Sequence, residues 1–254
     1  ATPPCPQTPP SPNLPPPPPF PLPHLPHTPH QNAPLFAAVE SDVVGYTRTP
    51  IAQLGFDIVS VPFVPLDGEN SQAVHIQDIK GTLSQNDSEF RADRLYVSYP
   101  GSVDYVVYHY KSQGWTEVGA DKPADDLIPP GTAFFIYKMM NTGEISVSGK
   151  VLDAPSVEVP VSTGLTLVAN PYPTELPINS ITGENLNAHS SNIRADKIMV
   201  PDYSSAGYIT YVLRPEGWVK DGETEPTKDT IDIGKGFFFS RMFSPTKLIF
   251  TRPY

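Results

Sequence analysis

Gly55-Phe56-Asp57-Ile58-Val59-Ser60-Val61-Pro62-Phe63 and Gly164-Leu165-Thr166-Leu167-Val168-Ala169-Asn170-Pro171-Tyr172 are the stretches on which the fold turns. Each is a turn glycine, a short run rich in branched apolar residues and a proline that ends it, which is the pattern of a buried β-strand. The second stretch repeats the first, and the repetition continues downstream. Ile76-Gln77-Asp78-Ile79 returns as Ile178-Asn179-Ser180-Ile181, and Arg91-Ala92-Asp93-Arg94-Leu95-Tyr96-Val97 as Arg194-Ala195-Asp196-Lys197-Ile198-Met199-Val200. Tyr105, Tyr108, Gly114 and Trp115 return as Tyr208, Tyr211, Gly217 and Trp218. Ile128, Gly131, Phe134, Phe135 and Met139 return as Ile231, Gly234, Phe237, Phe238 and Met242. Ile145 to Val147 closes the first copy as Leu248 to Phe250 closes the second. Order and spacing hold over about 100 residues, which predicts an internal duplication.

Each copy reads as six or seven short strands separated by Gly, Pro, Asn and Ser turns. That spacing predicts an all-β chain of two tandem β-sandwich, jelly-roll-like domains. About 100 residues suffice for each copy to bury its own core. The first domain is expected over residues 35–152 and the second over 153–254. Only Asp153 and Ala154 separate the last strand of one copy from Pro155, so the copies should be held close.

Upstream lies a different kind of sequence. Residues 1–34 are dominated by proline and contain no Lys, Arg, Asp or Glu. Such a segment lacks the backbone donors of a helix or a central strand, and its expected conformation is a polyproline II arm. After Pro15–Pro19 comes a triplet pattern, Leu22-Pro23-His24, Leu25-Pro26-His27 and Thr28-Pro29-His30. With three residues per turn, Leu22 and Leu25 share one face and His24, His27 and His30 another. At about 3.1 Å per residue the arm would span roughly 105 Å, enough to reach along a neighbouring molecule. It has too little apolar surface to fold unaided. Residues 35–44 then alternate, with Leu35, Ala37, Val39, Ser41 and Val43 opposite a face carrying Glu40 and Asp42. This is a strand that is either kept or donated to the open sheet of a neighbour.

Charge and thiol content narrow the function. The 254 residues carry 17 basic and 27 acidic side chains, a net charge of −10, which argues against nucleic acid and against an anionic membrane surface. No apolar run approaches the roughly 18–20 residues of a membrane span. Cys5 is the single cysteine, so no internal disulfide framework exists. It is either an inert thiol or a link between arms. The chain opens on Ala1 with neither a secretory signal peptide nor an initiator Met, which fits a leader that was removed or one that was not observed.

Chemical motifs are sparse. Gly-x-Ser-x-Gly, His-Glu-x-x-His and a phosphate loop are missing. His75, His109 and His189 have no counterparts in the other copy. A non-enzymatic chain without a cofactor or metal is therefore expected. Trp115 and Trp218 are either core residues or sugar-stacking platforms, and the core reading is favoured. Asp93 with Arg91, and Asp196 with Arg194, read as loop-fixing ion pairs. The acidic groups at Asp121, Asp125 and Asp126 and at Glu223, Glu225, Asp229 and Asp232 read as solvated loops. Asn86-Asp87-Ser88 is a sequon, and Thr8, Ser11 and Thr28 beside prolines are candidates for O-linked sugar.

The stretch Val43-Val44-Gly45-Tyr46, the strands ending in Pro62-Phe63 and Asn170-Pro171-Tyr172, the Gly-Trp turns and Gly234-Lys235-Gly236-Phe237-Phe238-Phe239 together resemble secreted, duplicated β-sandwich proteins of environmental bacteria, a group without assigned activity. The resemblance covers residues 43–254. It implies an extracellular location and supplies no catalytic residue. The expectation is a structural subunit of an extracellular fibre or surface layer, a homopolymer assembled head-to-tail through Leu22, Leu25, Leu35, Ala37, Val39 and Val43. The alternative is a carbohydrate-binding adhesin or module on a Pro-rich stalk, which would display an exposed row of aromatic rings.

Overall fold

The computed structural model describes residues 43–254 apart from 53, 67–72, 103 and 206. The readings made on residues 1–42, including Cys5, Thr8, Ser11, Leu22, Leu25, Thr28, Leu35, Ala37, Val39 and the histidine row, lie outside the described residues. The described part belongs to one compact unit, residues 41–254. It is all-β, and its helical content among the described residues is two single 3-10 turns, Ile76–Asp78 and Ile178–Ser180.

The first half runs β1 (Val44–Ile51), β2 (Phe56–Ser60), β3 (Phe63–Val64), β4 (Val74–His75), β5 (Lys80–Gly81), β6 (Arg94–Val97), β7 (Val106–Lys111), β8 (Gly114–Glu117), β9 (Leu127–Ile128), β10 (Ala133–Tyr137) and β11 (Gly143–Val151). The second runs β12 (Ser156–Val161), β13 (Gly164–Ala169), β14 (Leu176–Pro177), β15 (Ile181–Gly183), β16 (Lys197–Asp202), β17 (Gly207–Arg214), β18 (Gly217–Lys220), β19 (Thr230–Ile231), β20 (Gly236–Arg241) and β21 (Thr246–Thr251).

The pairing follows one plan twice. A five-stranded antiparallel sheet has the order β2-β10-β6-β7-β8 in the first half and β13-β20-β16-β17-β18 in the second. A smaller sheet is organised around β11, which carries β1, β3 and β5, and around β21, which carries β12 and β15. A two-stranded ribbon, β4-β9 or β14-β19, completes each half. Alternation explains the layering. In β10, Phe134 and Ile136 point to the interior, where they meet Val59, Leu95, Val97 and Trp115 from the same sheet and Ile145 and Val147 from the smaller one. The second core is filled in the same way by Val168, Ile198, Phe237, Phe239, Leu248 and Phe250 around Trp218.

Both tryptophans are core residues. Trp115 is fully buried and its indole Nε1 donates to the Ile79 carbonyl at 2.9 Å; Trp218 is 1% exposed and donates to the Ile181 carbonyl at 2.9 Å. The backbone N–H of each is received by an amide oxygen, Gln77 Oε1 at 3.0 Å and Asn179 Oδ1 at 2.8 Å. The preceding glycine makes this possible. Gly114 and Gly217 have φ of +109° and +130°, and a Cβ on either would stand 2.4 or 2.9 Å from that amide oxygen.

β1 lies past most of the strand read over residues 35–44. Among the described residues strand pairing begins at Val44 and runs to Ile51 along β11 of the same chain, with Val44 opposite Lys150 and Ile51 opposite Gly143. The Val151 N–H donates to the Val43 carbonyl at 2.8 Å, so Val43 is engaged within its own chain, although its side chain is exposed. The sequence pattern missed the length of this strand because Thr47, Arg48 and Pro50 interrupt the apolar alternation.

The halves meet through the outer faces of their five-stranded sheets. Ile58 and Ala133 pack on Leu167 and Ala169, flanked by Phe135 and Phe238. The contacts come in reciprocal pairs. Ser60 N–H donates to the Gly234 carbonyl at 3.0 Å, and the corresponding Ala169 N–H donates to the Gly131 carbonyl at 2.9 Å. Val59 bridges Lys235, and the corresponding Val168 bridges Thr132. A contact in which residue i of one partner meets j of the other, and j meets i, has the form of a two-fold interface.

Candidate functional site

The feature that stands out above this scaffold is a field of aromatic rings on the outward side of the first five-stranded sheet. β2 brings Phe56, β6 brings Tyr96, β10 brings Phe135 and Tyr137, and Tyr105 stands just before β7. Phe56 stacks on Tyr137 with centroids 4.5 Å apart and meets Tyr96 at 5.7 Å and Phe135 edge-on at 6.1 Å. Tyr105 meets Phe135 at 5.8 Å. The field crosses into the second half, where Phe238 stands 6.0 Å from Phe135 and Tyr208 5.8 Å from Phe238. Phe56, Tyr105 and Tyr208 are 57%, 43% and 48% exposed, so these rings are on offer to a partner.

Two adjoining depressions share Phe56 and Phe135 as a common wall. One, of about 300 Å³, is lined by Phe56, Tyr96, Tyr105 and Phe135 and presents only carbon. The other, of about 310 Å³, adds Ile58, Pro201, Asp202, Tyr203, Gly207 and Tyr208. Burial pushes the Tyr105 hydroxyl pKa above its ordinary value, with the nearby Tyr208 adding to the shift. Asp202 at the rim is held down to about 2 by hydrogen bonds from Ser204 and Ser205, so it stays a carboxylate.

A polar latch lies beside the field. Asp57 of β2 accepts from Lys235 Nζ at 2.9 Å and from the Tyr203 hydroxyl, and Lys235 lies over the Tyr203 ring at 4.7 Å. Burial, then the bond to Asp57, raises the Tyr203 pKa well above the phenol range. The latch is one-sided, because Thr166 and Thr132 occupy the positions that correspond to Asp57 and Lys235.

Other chemistry-bearing residues prove structural. Asp93 and Asp196 are fully buried, but their cations are Lys138 and Arg241 rather than the neighbouring arginines read from the sequence. Lys138 Nζ donates to Asp93 Oδ2 at 2.6 Å and to the Thr82 carbonyl at 2.7 Å. Arg241 donates to Asp196 and to the Asn185 carbonyl at 2.9 Å. Each aspartate also accepts two backbone N–H groups, from Ser84 and Met139 or from Asn187 and Met242. Arg91 and Arg194 are exposed. A buried carboxylate needs a cation in its own cavity, and the strand ends supply one where a residue two positions away points outward.

The acidic loop residues Asp121, Asp125, Glu223, Glu225, Asp229 and Asp232 are exposed, and Asp126 is half-buried. Asp229 accepts from the Tyr211 hydroxyl at 2.7 Å. Asn86 is half-buried in its loop, where its Oδ1 accepts the Ser88 N–H at 2.9 Å. Among the described residues no three His, Cys, Asp or Glu side chains converge as a metal site. No helix there is long and apolar enough to cross a membrane.

The aromatic field was missed in the sequence, although a signal for it exists. Phe134-Phe135-Ile136-Tyr137 and Phe237-Phe238-Phe239 are apolar on both faces, and a strand that is apolar on both faces has both faces covered or awaiting cover. No protein-family model matches the chain, and neither a curated protein nor a solved structure matches it.

Proposed function

We propose that the chain is a structural, non-catalytic subunit of an extracellular fibre or surface layer, a homopolymer joined head-to-tail through residues 1–44. In this reading the halves are two jelly-roll-like sandwiches, 35–152 and 153–254, descended from one duplicated ancestor, and together they form a rigid bead. One observation carries the reading. β1 begins ten residues after the Pro-rich segment ends and lies at the end of its sheet, bonded to β11 on one side, and among the described residues no strand pairs with its other edge. An open eight-residue edge is a template for an incoming strand, whose main-chain bonds give affinity and whose alternate side chains give register. Leu35, Ala37 and Val39 are the strand that a neighbour would bring. Val43 already serves its own sheet, so the donated segment ends before it. Head-to-tail addition does not close on itself and yields an open filament.

Electron microscopy and sedimentation of the secreted protein test this. The intact chain should form filaments at high concentration, removal of residues 1–34 should impair them, and removal of 1–42 should abolish them. A chain that stays monomeric at high concentration removes the proposal. Intact-mass measurement of the same material would reveal sugar on Asn86, Thr8, Ser11 or Thr28, which the reading permits and does not require.

The exposed aromatic field is the observation that favours the second reading, a carbohydrate-binding module. Two features weigh against it. The rings around Phe135 are inclined to one another by 48–90° rather than laid out as a flat platform. The carbon-only depression also lacks the convergent polar groups that fix sugar hydroxyls.

A further inference from the structure

We propose that the aromatic field is a docking site for the proline-rich segment Pro15–Pro26 of a second copy of this chain, bound as a polyproline II ridge. The inference rests on assembly through the arm and names the surface that receives it.

The chemistry of the two surfaces is complementary. A proline has no N–H and its carbonyl is the acceptor that remains, so a proline-rich strand presents a greasy ridge studded with acceptors. Such a ridge docks in slots between aromatic side chains. Here the two depressions lie side by side with Phe56 and Phe135 as the ridge between them, a pair of slots for successive turns. Among the described residues no hydrogen bond engages the Tyr96, Tyr105 or Tyr208 hydroxyls. Tyr208 lines the second depression, which does present polar surface, and its hydroxyl can donate to a carbonyl of such a strand there.

Charge points the same way. Burying a charged side chain against the carbon-lined slot carries a large desolvation cost. Residues 1–34 contain no Lys, Arg, Asp or Glu, and the run Pro15-Pro16-Pro17-Pro18-Pro19-Phe20-Pro21-Leu22-Pro23 has no titratable side chain at all. His24 is the one titratable residue within Pro15–Pro26, near the end that leads back to the domains. Entropy favours the match too, because a run already restricted by its rings loses less freedom on binding than an ordinary peptide. The second half offers no equal site: at the positions of Phe56, Tyr96 and Tyr137 it carries Leu165, Met199 and Ser240. One slot pair per subunit matches one arm per subunit.

The test uses the full-length chain with a photo-crosslinking benzophenone amino acid in place of Leu22, prepared as a mixture of ¹⁵N-labelled and unlabelled copies. After irradiation, mass spectrometry should find mixed-isotope cross-links from position 22 to peptides carrying Phe56, Tyr96, Tyr105, Phe135 or Tyr208. Phe56→Ala and Tyr105→Ala, both exposed and so expected to fold, should each lower that yield about tenfold, equivalent to a loss of about 1.4 kcal/mol in docking. Cross-links elsewhere on the protein, cross-links confined to one isotope, or yields unchanged by both substitutions overturn the proposal. Saturable binding of a β-1,4-linked glucose pentamer to these rings, with no arm cross-link there, overturns it in favour of sugar recognition. Electron microscopy of the same samples separates it from the fibre reading. Filaments without cross-links at the rings remove the docking alone, and mixed-isotope cross-links in a chain that forms no filaments remove the fibre alone.

Discussion

Lys138 in the first half and Arg241 in the second reach equivalent buried aspartates, and each also caps a loop carbonyl. The outer sheet faces of the same two halves differ, with Phe56, Tyr96 and Tyr137 in one against Leu165, Met199 and Ser240 in the other. The contrast shows what each position is held to. Inside, a substitution must fill the same volume and leave no charge unpaired, so even the exchange of lysine for arginine keeps its carboxylate. Outside, a side chain answers only to what covers it. A face that carries more aromatic rings in one half than in the other is therefore a mark of what that half meets.

The largest test of the shared interior removes its tryptophans. Trp115→Ala and Trp218→Ala should each cost about 3–5 kcal/mol, since each leaves a large cavity and an unmatched Ile79 or Ile181 carbonyl. Guanidinium unfolding measures both. Equal losses sharpen the correspondence of the halves, and a loss under about 1 kcal/mol in either breaks it.

Truncating the buried cations comes next. Lys138→Met and Arg241→Met leave Asp93 and Asp196 without their partners, and each should lower stability by about 3–5 kcal/mol at neutral pH. Urea unfolding measures the loss, and a loss under about 1 kcal/mol would show that the ion pair does not hold the strand ends.

The two turn glycines at the junction differ in a way that can be measured. Gly131 and Gly234 both have positive φ, +81° and +71°. A Cβ on Gly131 would stand 2.4 Å from Val159 Cγ2, whereas one on Gly234 would meet Thr49 Oγ1 at 3.3 Å. Gly131→Ala should therefore cost about 1–3 kcal/mol and Gly234→Ala less, by thermal unfolding. The reverse order would mean that the contact across Gly234 is the tighter of the two.

The smallest expected effect concerns His109, which is 4% exposed where the second half has Val212. Burial lowers the His109 pKa, opposed in part by Glu89 with its carboxylate 3.8 Å from Nδ1 and aided by Arg94 and Lys111. The unfolded imidazole then binds a proton near pH 6.5 that the folded one still refuses. Stability should fall as pH drops below about 6.5 toward the folded pKa. His109→Val should flatten that slope, seen as a smaller difference in melting temperature between pH 7.5 and 5.5; an unchanged slope would place the acid sensitivity elsewhere.

The sequence by itself determined the all-β character, the longer strands with their turns and many of the residues that face inward. Among the described residues the structure divides the halves into eleven and ten strands, where the turn spacing reads as six or seven each. Periodicity and turn chemistry are local, and Gly114-Trp115 and Gly217-Trp218 announce their turns and buried rings within a few residues. It also marked Asp93 and Asp196 as the carboxylates to watch. Only the tertiary structure decided their partners, because Lys138 and Arg241 lie 45 positions downstream and arrive through strand pairing that no local pattern encodes. The same holds for the aromatic field. Phe56, Tyr96, Tyr105 and Phe135 are scattered along 80 residues and each reads alone as an ordinary strand residue. The order β2-β10-β6-β7 lays them side by side, and the contact of one half with the other leaves their edge uncovered. Local sequence reports which way a side chain points, whereas what stands opposite it is a property of the assembled sheets.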